Sequence, residues 1–218
     1  SIQNAWSSTF INSGGQEWIQ TIGNNSTVRW FEEPPGSFRI SGRFRPHNLY
    51  GDTSALRTLD TRGDYGASLD PLWNFGDMDE ESTSADEIKL SYWFDYTTSW
   101  YWNADKEVYE KSTTGQPHYY LDAENVAHRI SAETLIMLEM IFFLTCYGCE
   151  SGTTVPVAET VGSGTAWVFH GGKMQKGTWS RSSDREWFEL TAEDGSQMLV
   201  PPGKLWMTLA RTNNVIPQ

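Results

Sequence analysis

Residues 165–179 read Thr165-Ala166-Trp167-Val168-Phe169-His170-Gly171-Gly172-Lys173-Met174-Gln175-Lys176-Gly177-Thr178-Trp179. Runs of β-branched and aromatic side chains flank a Gly-Gly pair, and adjacent glycines supply the positive φ angles that a tight hairpin turn requires. The pattern predicts an antiparallel hairpin. Downstream, Trp187-Phe188-Glu189-Leu190, Met198-Leu199-Val200 and Leu205-Trp206-Met207-Thr208-Leu209 are separated by turn clusters at Glu193-Asp194-Gly195 and Pro201-Pro202-Gly203. Short apolar runs punctuated by Gly and Pro extend the hairpin into an up-and-down meander over residues 165–209.

Working towards the N-terminus, residues 132–146 combine helix formers with a continuous apolar run, Leu135-Ile136-Met137-Leu138-Glu139-Met140-Ile141-Phe142-Phe143-Leu144. The composition suits a helix and the lack of a polar stripe suits a strand buried on both faces, and periodicity does not decide between them. Ile88-Lys89-Leu90-Ser91-Tyr92-Trp93-Phe94 alternates, and Trp100-Tyr101-Trp102 and Val108-Tyr109 continue the β bias. Asp77 to Glu87 is acidic and without apolar period, which suits a solvated connector and places a boundary near residue 84. A calcium loop there would need a sixth-position Gly and a twelfth-position Glu, and both are missing. Before it, Trp6, Phe10, Trp18 and Ile19 have amphipathic spacing around Asn12-Ser13-Gly14-Gly15, predicting two short helices joined by a turn.

The 218 residues carry 28 acids against 16 bases, a net charge of −12, which disfavours nucleic-acid phosphates as partners. The excess is concentrated: residues 64–125 hold fourteen of the acids and three of the bases. No run approaches the ~18 apolar residues of a membrane-spanning helix. His47, His118, His128 and His170 lack the spacing of a zinc site, and no Walker, dinucleotide or nucleophile-elbow pattern occurs, so no metal and no cofactor is expected. Gly162-Ser163-Gly164 precedes a strand and reads as a strand-entry turn. Cys146-Tyr147-Gly148-Cys149 is compatible with a local disulfide, a reduced structural pair or a redox pair, although a redox pair lacks the helix N-terminus that would depress a thiol pKa.

Arg43-Phe44-Arg45-Pro46-His47-Asn48-Leu49-Tyr50-Gly51 gathers two guanidinium forks, an imidazole, an amide and a phenol around a rigid proline. Such donor density suits an anionic or polyhydroxylated ligand, and it equally suits a buried polar network that ties a loop to the core.

Several ordered patterns are similar to those of the YerB-like bacterial lipoproteins, a family of unknown function. They are Arg45-Pro46-His47-Asn48-Leu49-Tyr50, Tyr109 with Gly115-Gln116-Pro117-His118 and Asp122, Val161 to Phe169 with Gly172-Lys173, Gly177-Thr178-Trp179-Ser180-Arg181, and Pro202-Gly203-Lys204-Leu205-Trp206. The resemblance implies an α+β, β-rich fold of layered β/β/α type: a small α/β module over residues 1–84, then a mainly antiparallel β module over 85–218. It implies a strand at 135–144, an extracytoplasmic location in a Gram-positive cell envelope, and membrane attachment through an upstream lipidated segment. In that family a further Arg-rich stretch precedes the position of Ser1, so the first module is expected to be incomplete. An exported protein favours a Cys146–Cys149 disulfide closed over Gly148. Two matched motifs from different modules suggest a ligand-binding cleft around Arg45, His47, Asn48 and Tyr50, joined by Trp179 and Arg181, with Asp122 a further candidate. The expected function is binding or scaffolding in the envelope, with a small anionic or polyhydroxylated molecule or an envelope protein as partner. The enzymatic alternative is a hydrolase or transferase acting on cell-wall carbohydrate, for which Asp122 and Glu124 would have to serve as a carboxylate pair.

Overall fold

The structure, a computed structural model, describes residues 9–15, 17–25, 29–45, 47–59, 71–78, 82–92, 96–145 and 154–218. The chain divides into two compact units, one of Ser1–Asp70 with Cys146–Thr153 and Asp184–Trp187, the other of Pro71–Thr145, Thr154–Ser183 and Phe188–Gln218. The second unit therefore begins ahead of residue 84. Phe75 forms a bridge with Val200, and Thr83 and Ser84 pair with a central hairpin, so the ends of the acidic connector are held by backbone hydrogen bonds.

In the first unit, β1 (Thr9–Asn12) and β2 (Arg29–Glu32) pair in parallel, with the helix Glu17–Asn24 between them. The first of the two expected helices is thus a strand where it is described; its residues 3–8 lie outside the described segments. Thr9, Phe10 and Ile11 prefer extended backbone, and the spacing that suggested a helix came from Phe10 alone within this stretch. Phe10 faces Trp30, its register partner, with ring centroids 4.6 Å apart. β3 (Ser37–Arg39) and β4 (Leu49–Gly51) form an antiparallel hairpin, followed by the short helix Thr53–Arg57, which Asp52 caps by accepting the Ser54 and Ala55 amide N–H groups.

The second unit is a two-sheet β structure. In chain order its strands are β5 (Thr83–Ser84), β6 (Glu87–Ser91), β7 (Thr97–Asn103), β8 (Val108–Thr113), β9 (Gln116–Pro117), β10 (Tyr119–Leu121), β11 (Ala127–Arg129), β12 (Ser131–Ala132) and β13 (Thr134–Met140). They continue as β14 (Phe142–Thr145), β15 (Val155–Ala158), β16 (Gly162–His170), β17 (Lys173–Arg181), β18 (Glu189–Ala192), β19 (Leu205–Arg211) and β20 (Val215–Pro217). One sheet runs β12-β8-β7-β6-β20, with β9 beside β8, and the other runs β18-β17-β16-β13-β19, with β5 beside β17. Ile88, Leu90, Trp100 and Tyr109 from the first sheet and Leu135, Met137, Phe169 and Ala210 from the second share one buried cluster. The Tyr109 hydroxyl donates to the Ala85 carbonyl at 3.0 Å, which satisfies its polar end inside that cluster.

Every residue of β13 is buried, so 134–140 is a strand buried on both faces, as the resemblance implied for 135–144, but it stops at Met140, and Phe142–Thr145 forms the separate strand β14 against β15. The β16–β17 hairpin is also as expected, with Gly171 and Gly172 at φ 60° and 72°. The meander, however, ends at β18. Met198 to Val200 contributes one isolated bridge, Val200 with Phe75, rather than a strand, and β19 crosses to the far edge of β13, where it pairs in parallel from Thr134↔Leu205 to Met140↔Arg211. A strand as apolar as β13 must satisfy its backbone groups on both edges, and only β19 does so on the side opposite β16. Taken together, the described residues are rich in strand and mostly antiparallel.

Candidate functional site

The β3–β4 hairpin carries the donor-rich segment singled out in the sequence. Asn48 is buried at the base of the connection: its amide donates to the Ile40 carbonyl at 3.2 Å, and its Oδ1 accepts from Arg39 Nη1 at 2.6 Å. The Ile40 amide N–H donates to the Asn48 carbonyl at 3.0 Å, and that of His47 to Phe44 at 3.0 Å. Arg39 also donates to Ser13 Oγ at 2.8 Å and to the Glu33 carboxylate, while Ser13 donates to Glu33 Oε1 at 2.7 Å. The Arg39 hydrogen bond first, then that from Ser13, holds the Glu33 carboxyl below its ordinary range, with a smaller contribution from the charge of Arg45. This network ties down the base of the loop.

What the loop presents to solvent is different in character. Arg43, Phe44, Arg45 and His47 are exposed, and Phe44 is 93% accessible. On the hairpin itself Phe38 stacks against its register partner Tyr50 with centroids 6.1 Å apart, both rings being exposed. A phenyl ring left almost wholly in water between two guanidinium groups is the kind of surface that binding covers. Of the four residues expected here, Arg45, His47 and Tyr50 lie at the surface, whereas Asn48 holds the loop. Arg39 and Glu33 had no sequence signal, because they join the network only through folding.

The remaining candidates fall in the second unit. Trp179 is 1% accessible, donates its indole N–H to the Glu139 carbonyl at 2.7 Å and packs edge-on against Phe188. Arg181 is 2% accessible, donates to Thr160 Oγ1 at 3.0 Å and lies over the Phe188 ring. Both are interior side chains, and the structure assigns them to packing rather than to a solvent-facing cleft. Asp122 closes the turn between β10 and β11: Oδ1 accepts the amide N–H of Glu124 at 3.0 Å and of Val126 at 2.8 Å, and Oδ2 lies 2.6 Å from His128 Nε2. The His128 hydrogen bond, followed by the Val126 amide, holds its carboxyl below the ordinary range. A general acid needs the opposite shift, so Asp122 itself does not present the environment of a glycosidase acid. Cys146 and Cys149 lie outside the described residues. Among the described residues no three His, Cys, Asp or Glu side chains come together as metal ligands.

A second group escaped the sequence reading. Lys111 on β8 lies beside Trp100, its partner on β7, with Nζ 4.4 Å from the ring centroid of Trp206 and 5.9 Å from that of Trp100. His118, part of the family-like Gly115-Gln116-Pro117-His118, follows β9 and donates its backbone N–H to the Lys111 carbonyl at 3.1 Å. The missed signal was the register, which no local pattern reveals.

No curated protein matches the chain. The crystal structure of the YerB protein from Bacillus subtilis is similar over 100% of this chain and 72% of that one, with a TM-score of 0.74 at 14% identity, a likeness of fold. Residues 88–207, the span that carries most of both sheets and the Lys111–Trp206 contact, match the family described as protein of unknown function (DUF3048), C-terminal domain, and the chain belongs to that family.

Proposed function

We propose that the protein is an extracytoplasmic component of the cell envelope, attached to the membrane through an upstream lipidated segment, that binds an anionic, polyhydroxylated envelope molecule through its first unit. The resemblance of its motifs to exported lipoproteins supports the location. The observation that carries the binding role is the exposed Arg43-Phe44-Arg45 tip, braced from beneath by the Asn48–Arg39–Glu33 network in a chain of net charge −12. A local positive surface on an otherwise acidic molecule concentrates the binding of anionic groups at that point. Arg offers bidentate hydrogen bonds to phosphate or carboxylate, and the exposed Phe44, Phe38 and Tyr50 rings supply the flat apolar contact that sugars and polyols use. His47 and Tyr50 are the further direct contacts, and Asn48 is a positioning residue.

The test is binding of a polyol-phosphate polymer and of a neutral dextran, measured by calorimetry at low and moderate salt. The phosphate polymer should bind, and the Arg43→Ala/Arg45→Ala double variant should lose about tenfold or more in affinity with an unchanged melting temperature, since each charge-assisted contact is worth roughly tenfold. Equal binding of both polymers, or an unaffected double variant, would overturn the proposal.

A further inference from the structure

The edge of β8 is shared by two short strands. β12 pairs with its first half, through Ala132↔Tyr109 and Ser131↔Glu110, and β9 with its second, through Ser112↔Pro117 and Thr113↔Gln116. Lys111 sits at the changeover: its amide N–H donates to the Ile130 carbonyl at 2.9 Å, its carbonyl accepts from His118, and Ile130 in turn donates to the His118 carbonyl at 2.9 Å. Three segments are thereby locked at one point. Thr113 shares a face of β8 with Lys111, and its hydroxyl meets the His118 ring, so Trp100, Lys111 and His118 lie on one face of the sheet. Trp206, from the opposing sheet, meets Trp100 edge-on with centroids 5.3 Å apart and covers the lysine.

The charge here is left without an anion. Lys89, Lys106, Arg39 and Arg129 each have a carboxylate within 4.0 Å; among the described residues Lys173, Lys176 and Lys204 have none but are exposed to water, whereas Lys111 has none and is partly buried. Indole faces attract an ammonium group but do not accept its three N–H donors as an oxyanion would. Its neighbour His118 has Nδ1 3.0 Å from Thr113 Oγ1. If the hydroxyl donates to Nδ1, the imidazole proton resides on Nε2, leaving a second donor. Burial also draws the pKa of Lys111 and of His118 downward, the state that a bound anion would reverse.

We propose that Lys111 and His118, backed by Trp206, form a binding site for a single oxyanion, a carboxylate or a phosphate, independent of the Arg43-Phe44-Arg45 surface of the first unit. The anion accepts from the Lys111 ammonium and from the imidazole, and the Trp206 indole contacts the body of the molecule that carries it. The bland rival is a lysine whose aliphatic stem simply covers tryptophan.

Titration of the whole chain with inorganic phosphate and, separately, acetate, followed by the NMR signals of the His118 ring and the Trp206 indole N–H, separates these, and the two anions show which oxyanion is preferred. Saturable shifts are expected with at least one of them and not with chloride at equal ionic strength. Lys111→Met, which keeps the apolar stem, should weaken the response about tenfold or more. Lys111→Arg should retain it, and so should the first-unit double variant Arg43→Ala/Arg45→Ala. If Lys111→Met fails to fold, Lys111→Gln removes the charge with a polar end and is held to the same expectation. Linear shifts with every salt, an undiminished response without the Lys111 charge, or a response lost with the first-unit arginines would each overturn the site.

Discussion

Glu139 shows how much one side chain can do out of sight of the local sequence. It interrupts the longest apolar run of the chain, yet it is buried, and its Oε1 accepts the amide N–H groups of Asn214 at 2.9 Å and Val215 at 3.0 Å while its backbone carbonyl accepts from Trp179. One carboxylate thus fastens the entry of β20 to the end of β13. Replacing it by Leu keeps the bulk and leaves two N–H groups without an acceptor, which should cost about 2–5 kcal/mol, since each unsatisfied buried donor costs ~1–3 kcal/mol. Gln retains a carbonyl oxygen in place and should cost about 1 kcal/mol. Urea unfolding of both variants checks the order, and a Leu variant as stable as the Gln variant would show that β20 is held by other contacts.

Among the elements, the β16–β17 hairpin is the most clearly specified. Nine register pairs run from Gly162↔Arg181 to His170↔Lys173, and across the strands Lys176 lies 5.2 Å from the ring centroid of its partner Trp167. Its two turn glycines are not equivalent. Both need positive φ, but a Cβ on Gly171 would meet open space, whereas one on Gly172 would lie 2.9 Å from the Trp102 indole. Gly171→Ala should therefore cost about 1 kcal/mol for the left-handed backbone alone. Gly172→Ala should cost roughly 2–4 kcal/mol, because the displaced indole adds an overpacking penalty of ~1–3 kcal/mol. Melting temperatures that fall equally for both would mean that Trp102 moves aside freely. The first unit offers a contrast. There the turn between β3 and β4 is long, and its order comes from Asn48 and Arg39 rather than from glycine, which is why the same segment allowed both a ligand surface and a structural network until the side chains were placed.

Across the whole molecule the acidic side chains set the response to pH. Glu33, Glu110, Asp122 and Asp194 are held below their ordinary values, chiefly by hydrogen bonds from Arg39, Lys106, His128 and Ser196 respectively. A carboxyl whose folded pKa is depressed contributes stability above its unfolded value, and that contribution is lost as pH falls through the folded one. For these four the loss starts at the ordinary values of 4.5 and 3.8 and continues below them. His118 has the same sign for a different reason: burial, aided by Lys111 and Arg129, favours its neutral form, so the fold begins to lose stability as pH falls below the ordinary 6.5. The melting temperature should be flat from pH 8 to 7, decline gently below pH 6.5 and fall steeply below about pH 4. His118→Gln should remove the gentle stage and leave the steep one. A melting temperature that rises between pH 6.5 and 5 would contradict the assignment.

Strand identity over 162–181, and the turn at Gly171-Gly172, were legible in the sequence because they depend on local quantities, side-chain period, β-branching and the φ freedom of adjacent glycines, whereas the apolar run at 134–140 suited helix and strand alike and only the family-like motifs pointed to a strand. The donor density of residues 43–51 was legible for the same reason, and it survives as the exposed Arg43-Phe44-Arg45 tip. Which strand lies beside which was not local. β19 follows β18 in the chain but pairs with β13, because satisfying both edges of a buried strand outweighs keeping sequential neighbours together. That choice brings Trp206 over Lys111, while Trp179 and Arg181 are removed from solvent by folding. Composition and spacing determine what each segment can become, whereas contacts between residues tens of positions apart, such as Glu139 with Asn214 or Lys111 with Trp206, exist only once the sheets have closed over one core.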